Sequence, residues 1–320
     1  MKRLFLGTTI ALLSTVLLVE AQELQYGAIL KPVSNPHWNA MSKGMEAAAQ
    51  ETGVEVIVSA VASEGAAEEQ LNNCEAMLLR SPKALIVGAI NSNVLLPCLK
   101  KATDAGVAIV DLDYNLDRTL AEGAGIKITF TAGNAGAVTG SAGADFVAER
   151  LGSDVEGSVL VLEGLPGNPV SAARASGFID QIGKVAQNLN VTTLNADWDR
   201  IKAANITNDI LQRTPDLKVI FAANDTMALG AVETALAAGR SDIIVIGVDG
   251  GSDAIQSVKA GRLTATISQF PYLVGRRSVE LLNEMFTEGA ELDTYQSTGQ
   301  LVITKEVLEA GTDPMLQYIK

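Results

Sequence analysis

The chain has 320 residues, a length that suits one large domain or two domains of medium size. Its formal net charge is −13 at pH 7 and no basic stripe interrupts the acidic surface, which excludes recognition of a nucleic-acid backbone. One histidine and two cysteines without a CxxC pair are too few for a thiolate-and-imidazole metal site. We therefore expect neither nucleic acid nor a metal, and no motif indicates a cofactor.

The N-terminus has the layout of a secretory signal peptide. Lys2 and Arg3 precede an apolar run over residues 4–19, and small residues around Ala21 follow. We expect cleavage after Ala21, with an uncleaved anchor as the alternative because Glu20 is an imperfect residue for a cleavage site. No later stretch reaches the roughly 18 apolar residues of a membrane span. The mature protein is therefore expected to be exported and soluble.

The rest of the chain alternates between short apolar runs and segments of helical periodicity. Near-continuous apolar strands that alternate with helices are typical of a parallel sheet covered on both faces. The predicted strands cover residues 26–30, 54–60, 84–89, 107–113, 127–132, 158–164, 191–198, 218–225, 242–250 and 262–269. The alternation restarts near residue 158, so the sequence predicts an α/β protein with two similar halves.

The loop after the first strand is the first candidate binding segment. Its polar and aromatic groups, Lys31, Asn35, His37 and Trp38, stand at the carboxyl end of a strand, where open α/β sheets bind ligands. The glycine fingerprint of a dinucleotide site is missing. The alternative is that Trp38 belongs to the core and the rest is a solvated turn.

Polar residues also close the later strands. Asp113, Asn224, Asp249 and Gln269 each stand at a strand end, where a ligand role competes with N-capping of the next helix. For Asp225, which directly precedes a helical stretch, we expect a cap.

Two further residues stand in polar surroundings. Trp198 is flanked by Asp197 and Asp199, which favours a partly exposed ring suited to stacking on a sugar, although it could also be a core residue. Arg174 follows a helix start, and its guanidinium could bridge two hydroxyl groups or remain a surface charge.

Enzymatic motifs are missing: the sequence has no GxSxG elbow, no P-loop and no HExxH. A glycoside-acting enzyme that uses Asp113 and Asp249 as its carboxylates is the remaining catalytic alternative. We expect a protein that binds and does not catalyse.

Several motifs, in order and with conserved spacing over residues 24–303, carry a resemblance to a known family. They are SNPHW at 34–38, LDY at 112–114, ARASGF at 173–178, ADWDR at 196–200, ANDTMALG at 223–230, GVDG at 247–250 and ATISQFP at 265–271. The chain resembles the periplasmic sugar-binding proteins of ABC importers, in the ribose- and allose-binding group. The fold of LacI-type repressors is similar, but those proteins carry an N-terminal helix-turn-helix where this chain has the predicted signal peptide.

The resemblance implies two doubly wound parallel-sheet lobes joined by three crossing strands, the Venus-flytrap fold of type I periplasmic binding proteins. It places the signal peptide at 1–21, the N-terminal lobe at 22–131 plus 267–292, and the C-terminal lobe at 132–266 plus 293–320. It implies a monomer that binds a monosaccharide in the cleft and delivers it to ABC permease subunits in the periplasm, with a chemoreceptor as a further candidate partner. A polyol or an inositol is the alternative ligand.

By position, the resemblance also implies the ligand contacts, which are Lys31, Asn35, His37, Trp38, Asp113, Arg174, Trp198, Asn224, Asp249 and Gln269. Two positions depart from the family pattern. His37 stands where the family usually has Phe, and Tyr114 stands where ribose binders have Arg. These departures leave the identity of the sugar open.

The two cysteines fall on consecutive predicted crossover helices of one parallel sheet. Right-handed connections place such helices side by side on the same face, so Cys74 and Cys98 could form a disulfide in an exported protein. The alternative is a pair of buried thiols.

Overall fold

A computed structural model describes residues 24–319. Two six-stranded sheets have the same strand order, β2-β1-β3-β4-β5-β11 in the first and β7-β6-β8-β9-β10-β12 in the second. The strands are β1 Gln25–Leu30, β2 Glu55–Ala60, β3 Ala84–Val87, β4 Ala108–Leu112, β5 Phe130–Ala132, β6 Gly157–Glu163, β7 Leu189–Asn195, β8 Leu217–Ala222, β9 Ile244–Asp249, β10 Ala265–Ser268, β11 Tyr295–Gln296 and β12 Leu301–Ile303. Pairing is parallel except between β10 and β12.

Helices cover both faces of each sheet. They are α1 Pro36–Thr52, α2 Ala67–Leu78, α3 Ser92–Asp104, α4 Arg118–Gly123, α5 Gly136–Leu151, α6 Pro169–Val185, α7 Arg200–Arg213, α8 Asp225–Ala237, α9 Ser252–Lys259, α10 Pro271–Glu288 and α11 Lys305–Ala310, followed by a 3-10 turn at Pro314–Tyr318. Each sheet has one apolar cluster on either face, which explains why the strands read as continuous apolar runs. The expected α/β class with two doubly wound lobes is confirmed.

The lobes are connected three times, near residues 133–135, 269–270 and 297–300. Strand β10 belongs to the sheet of the second lobe, and β11 belongs to the sheet of the first. The chain therefore passes between the lobes within a few residues of the predicted lobe limits at 266 and 292. The exact lobe limits stay a prediction. The predicted signal peptide, residues 1–21, lies outside the described residues. Between residues 24 and 319, no helix combines the length and the apolar character needed to cross a membrane.

Some short elements differ from the sequence-based expectation. The predicted strand over 127–132 is reduced to Phe130–Ala132, and the short helix α4 just before it was not anticipated. The edge strands β11 and β12 also carry no sequence signal, because two or three residues cannot establish an alternation.

Cys74 and Cys98 are both fully buried and are joined by a disulfide between α2 and α3. The helices lie side by side on one face of the first sheet, as right-handed crossovers require. The cross-link therefore belongs to the N-terminal lobe alone and does not join the two lobes.

Small residues allow α5 and α6 to pack with their backbones in close approach. A Cβ atom added at Gly177 would lie 2.2 Å from the carbonyl oxygen of Ala137, and one at Gly140 would lie 2.1 Å from that of Arg174. Contact this close positions the buried Arg174, which α6 directs toward the gap between the lobes. The glycines thus fix the place of a cleft residue.

We predict that Gly177→Ala lowers the free energy of unfolding by about 2 kcal/mol, because the added methyl forces the helices apart. The matched control is Gly183→Ala in the same helix, where an added Cβ meets nothing within 4 Å. That change should stabilise the protein by about 0.5–1 kcal/mol through helix propensity. Urea unfolding of both variants measures the difference, and equal effects would contradict the packing argument.

Candidate functional site

Carboxyl ends of strands and starts of helices from both lobes meet at one point between the sheets. The first lobe contributes His37 at the start of α1 and Asp113 just after β4. The second lobe contributes Arg174 from α6 and Asp249 at the end of β9. All four residues are at most 5% exposed, so four ionisable groups share a largely dry space.

These four groups form four ion pairs, of which His37–Asp249 and Arg174–Asp113 cross from one lobe to the other. His37 Nε2 lies 3.2 Å from Asp113 Oδ2, and His37 Nδ1 lies 3.4 Å from Asp249 Oδ1. Arg174 Nη1 donates to Asp249 Oδ1 at 3.1 Å, and its Nη2 lies 3.7 Å from Asp113 Oδ2. The cleft is therefore closed, with each buried charge next to an opposite one.

The closed arrangement still leaves hydrogen-bonding capacity unused. His37 Nδ1, Asp113 Oδ1 and Arg174 Nε are buried without a hydrogen-bond partner among the described residues. The 3.4 Å approach of His37 Nδ1 to Asp249 is thus an electrostatic contact and not an aligned hydrogen bond. Buried polar atoms without partners are costly, so a ligand that donates to one and accepts from another would be held strongly.

The mutual arrangement of the charges shifts their pKa values. Burial opposes charge on His37, but Asp249 and Asp113 outweigh it and raise the pKa of the imidazole above 6.5. For Asp113, burial is outweighed by the His37 hydrogen bond and nearby cations, which hold its pKa below the ordinary value. Burial lowers the pKa of Lys31, which donates to Asn115 Oδ1 at 2.7 Å.

Two tryptophans form the remaining walls, and each rests on a glycine at the end of a strand. A Cβ atom at Gly88, after β3, would lie 2.5 Å from the Trp38 ring, and one at Gly164, after β6, would lie 2.0 Å from the Trp198 ring. Trp38 is 4% exposed and Trp198 is 9% exposed. Both rings are thus largely buried, yet they border the cavity between the lobes.

Several cleft residues hold a strained backbone. Asp113 has φ 60°, Trp198 has φ 64° and Asp249 has φ 125°, all in the region that disfavours side chains. Such conformations cost about 1–3 kcal/mol each and persist where surrounding structure enforces them. The strained residues are concentrated at the cleft, which independently indicates that the structure holds their side chains in particular directions.

Asp225 does not cap α8 as expected. Asn224 is the N-cap, with its Oδ1 accepting from Met227 N at 2.9 Å. Asp225 instead borders the cleft, where it accepts from Thr266 Oγ1 at 2.6 Å and from Gly251 N at 2.8 Å. Burial and the nearby Asp249 charge raise its pKa well above the usual range.

The structure brings nearly all predicted ligand residues around one cavity of about 30 Å³. A wider cleft mouth of about 460 Å³ opens beside it, between the 32–37 and 62–64 loops of the first lobe and the 198–200 and 225–229 segments of the second. The inner cavity is lined by Lys31, Asn35, His37, Trp38, Glu64, Asp113, Asn115, Val170, Arg174, Trp198, Asn224 and Asp249.

Three lining residues were missed from the sequence: Glu64, Asn115 and Val170. Asn115 follows β4 by three positions and could have been found by extending the strand-end rule past Asp113. Glu64 accepts from Asn35 Nδ2 at 2.9 Å, a contact between loops that no sequence pattern indicates.

Gln269 and Tyr114 lie outside the inner cavity lining. Gln269 stands at a crossing between the lobes, where Arg174 Nη2 donates to its side chain and its Nε2 donates to Thr139 Oγ1 at 3.1 Å. Tyr114 stacks on Tyr295 with ring centroids 5.9 Å apart. Gln269 therefore contacts Arg174 from outside the inner cavity and connects it to a segment where the chain crosses between the lobes.

Within residues 24–319, no group of three or more His, Cys, Asp or Glu side chains is placed to hold a metal ion. The cleft carboxylates of Asp113 and Asp249 are paired with His37 and Arg174. The chemistry of the cleft is therefore that of a polar hydrogen-bonding site with aromatic walls.

Known proteins resemble this chain over most of its length. A family model described as "Periplasmic binding protein domain" matches residues 26–291. The D-allose-binding periplasmic protein of Escherichia coli is 34% identical over 87% of this chain and 89% of its own length. The ribose import binding protein RbsB of Bacillus subtilis is 31% identical over 82% of each.

A solved structure adds a comparison in three dimensions. The periplasmic solute-binding protein of an ABC transporter from Actinobacillus succinogenes, with bound D-allose, superimposes with a TM-score of 0.84 at 30% identity. The match covers 90% of this chain and all of that one.

Proposed function

Because the chain belongs to the periplasmic binding protein family, we propose that it captures a monosaccharide of the allose or ribose type and delivers it to an ABC import permease. The observation that carries this proposal is the closed interlobe cleft, where two carboxylates and a guanidinium meet between two tryptophans. Sugars present hydroxyl groups at their edges and C–H faces above and below the ring, which suits these partners.

We assign the polar contacts as follows. Ligand hydroxyls donate to Asp113 and Asp249 and accept from Lys31, Asn35, Arg174 and Asn224. Trp38, Trp198 and His37 form the walls. Gln269 acts through Arg174, which it contacts directly.

Closure of the lobes over the ligand is a population shift, since only the closed form contacts the ligand from both sides. The permease would recognise this closed form, and a chemoreceptor is a second candidate reader. We propose that the mature protein is monomeric and periplasmic, exported by the N-terminal signal peptide.

The cleft geometry favours binding over glycoside hydrolysis. A general acid in a glycosidase needs a carboxyl with a raised pKa facing the bond, whereas Asp113 has its pKa lowered. The buried carboxyls with a raised pKa are Asp111, which accepts hydrogen bonds from Leu116 and Thr131, and Asp225, which accepts from Thr266 and Gly251. We therefore assign no catalytic role to the cleft.

A thermal-shift screen of the mature protein against aldoses, ketoses, alditols and inositols tests the proposal. A ligand at a hundredfold excess over its dissociation constant stabilises the folded state by about 2.7 kcal/mol, and we expect D-allose or a close relative to do so. The Asp249→Ala variant is the control and should respond less. If no polyhydroxy compound raises the midpoint of the well-folded protein, the sugar assignment is wrong.

A further inference from the structure

His37 lies against the two carboxylates that a ligand of the proposed class would contact. Its ring stands between Asp113 of its own lobe and Asp249 of the opposite lobe, 4% exposed. Its two ring nitrogens thus lie against one carboxylate of each lobe, 3.2 Å from Asp113 Oδ2 and 3.4 Å from Asp249 Oδ1. A ligand whose hydroxyl groups donate to these two carboxylate oxygens therefore competes with the imidazole for them.

We propose that His37 is a proton-dependent latch, which closes the lobes on themselves in the absence of ligand and competes with the ligand for Asp113 and Asp249. This inference rests on the proposed function, because it takes the two carboxylates as the ligand contacts. Ligand capture then releases the proton that the latched imidazole carries, and affinity rises with pH.

The elements packed against His37 each place a charged or aromatic side chain near its ring. Asp113, after β4, and Asp249, at the end of β9, attract a proton to the ring. Arg174 on α6 opposes it, and Lys31 at the end of β1 adds a second cation on the same cavity. Glu64, beside Asn35, adds a carboxylate to the same lining. Trp38 meets the ring edge-on, with centroids 5.2 Å apart.

These contacts determine the direction in which the stability of the latch changes with pH. The latched form raises the pKa of His37 above its ordinary 6.5, so protonation stabilises the latch. This stabilisation is fully present below the ordinary pKa and is lost as the pH rises through the raised pKa. Between the ordinary and the raised pKa the dissociation constant of the ligand should rise by up to about tenfold for each unit by which the pH falls, the slope for one released proton, and below the ordinary pKa it should level off.

Two other buried groups could titrate in the same range and must be separated from His37. Burial raises the pKa of Asp111, one strand position before Leu112, to about 7. Asp225 also has a raised pKa and lies behind Asp249. Neither bridges the lobes by a hydrogen bond in the structure, because Asp111 accepts from Leu116 N and Thr131 Oγ1 in the first lobe and Asp225 accepts from Thr266 and Gly251 in the second.

The first experiment needs no ligand. Because His37 is the single histidine of the chain, NMR of the tag-free protein reports one imidazole, and X-ray scattering reports lobe closure. We expect a raised imidazole pKa, and a smaller radius of gyration at about pH 5.5 than at about pH 9. His37→Gln keeps a hydrogen-bond donor but cannot titrate, and should have the same radius at both pH values; His37→Phe is the second variant in case His37→Gln misfolds.

The second experiment adds D-allose. Calorimetry in two buffers of different ionisation enthalpy should show proton release for the wild type at pH values between the ordinary imidazole pKa and the raised one that NMR determines, and none for His37→Gln. Equal radii of the wild type at both pH values, or the same pH dependence in the variants, would overturn the latch. If D-allose and every other sugar fail to bind at about pH 9, the proposed function is overturned, and the scattering result then decides the latch by itself.

Discussion

Replacing Asp249 with alanine should weaken sugar binding at about pH 9 by about 2–5 kcal/mol, or roughly 30- to 5,000-fold in the dissociation constant. Asp249 is 5% exposed and pairs with Arg174 at 3.1 Å, so its removal deletes a ligand acceptor and leaves a buried guanidinium short of one partner. At this pH the proposed His37 latch is weaker than at neutral pH, so the loss reports mainly the ligand contact. Titration calorimetry with D-allose provides the measurement.

Two controls make this result specific. Asp249→Asn keeps the side-chain shape and tolerates the positive φ of 125° better than alanine, and its smaller loss would isolate the carboxylate charge. Asp209→Ala removes one carboxylate from the exposed face of α7, outside the cavity lining, and should leave affinity unchanged. Wild-type affinity in Asp249→Ala would remove this residue from the site.

Loss of the disulfide should lower the free energy of unfolding by about 3 kcal/mol. Cys74 and Cys98 are separated by 24 positions, and the cross-link restricts the unfolded chain over that loop. We expect the double variant Cys74→Ala/Cys98→Ala to show this loss in guanidinium unfolding. Sugar binding should be unaffected, because the bridge lies between α2 and α3, away from the cleft.

The wild type in excess reductant is the matched control for the cysteine variants. It breaks the bridge without removing the two buried sulfur atoms, so the difference between reduced wild type and double variant measures lost packing alone. Thiol titration of the oxidised wild type in denaturant should give no free thiol. Two thiols per chain in the absence of reductant would contradict the bridge.

The sequence determined the fold class and the neighbourhood of the site. Continuous apolar strands between helices require a parallel sheet buried on both faces, and carboxyl ends of parallel strands meet at one edge. The strand-end rule alone therefore pointed to Asp113, Asn224 and Asp249, which the structure brings to one cavity. The rule works because it depends on local periodicity, which a sequence carries directly.

Only the tertiary structure decided how these groups are paired. The bridging position of His37 depends on contact between two lobes, and no local pattern encodes the distance between Asp113 and Asp249. The prediction for Asp225 was wrong for the same reason. Its position at a helix start predicts a cap, but packing between segments directs its side chain to Thr266. The same limit also explains Gln269, which reads as a strand-end ligand residue but lies behind Arg174 at a crossing between the lobes. Contacts between segments distant in the sequence arise from the arrangement of the two sheets, which exists only in the folded chain.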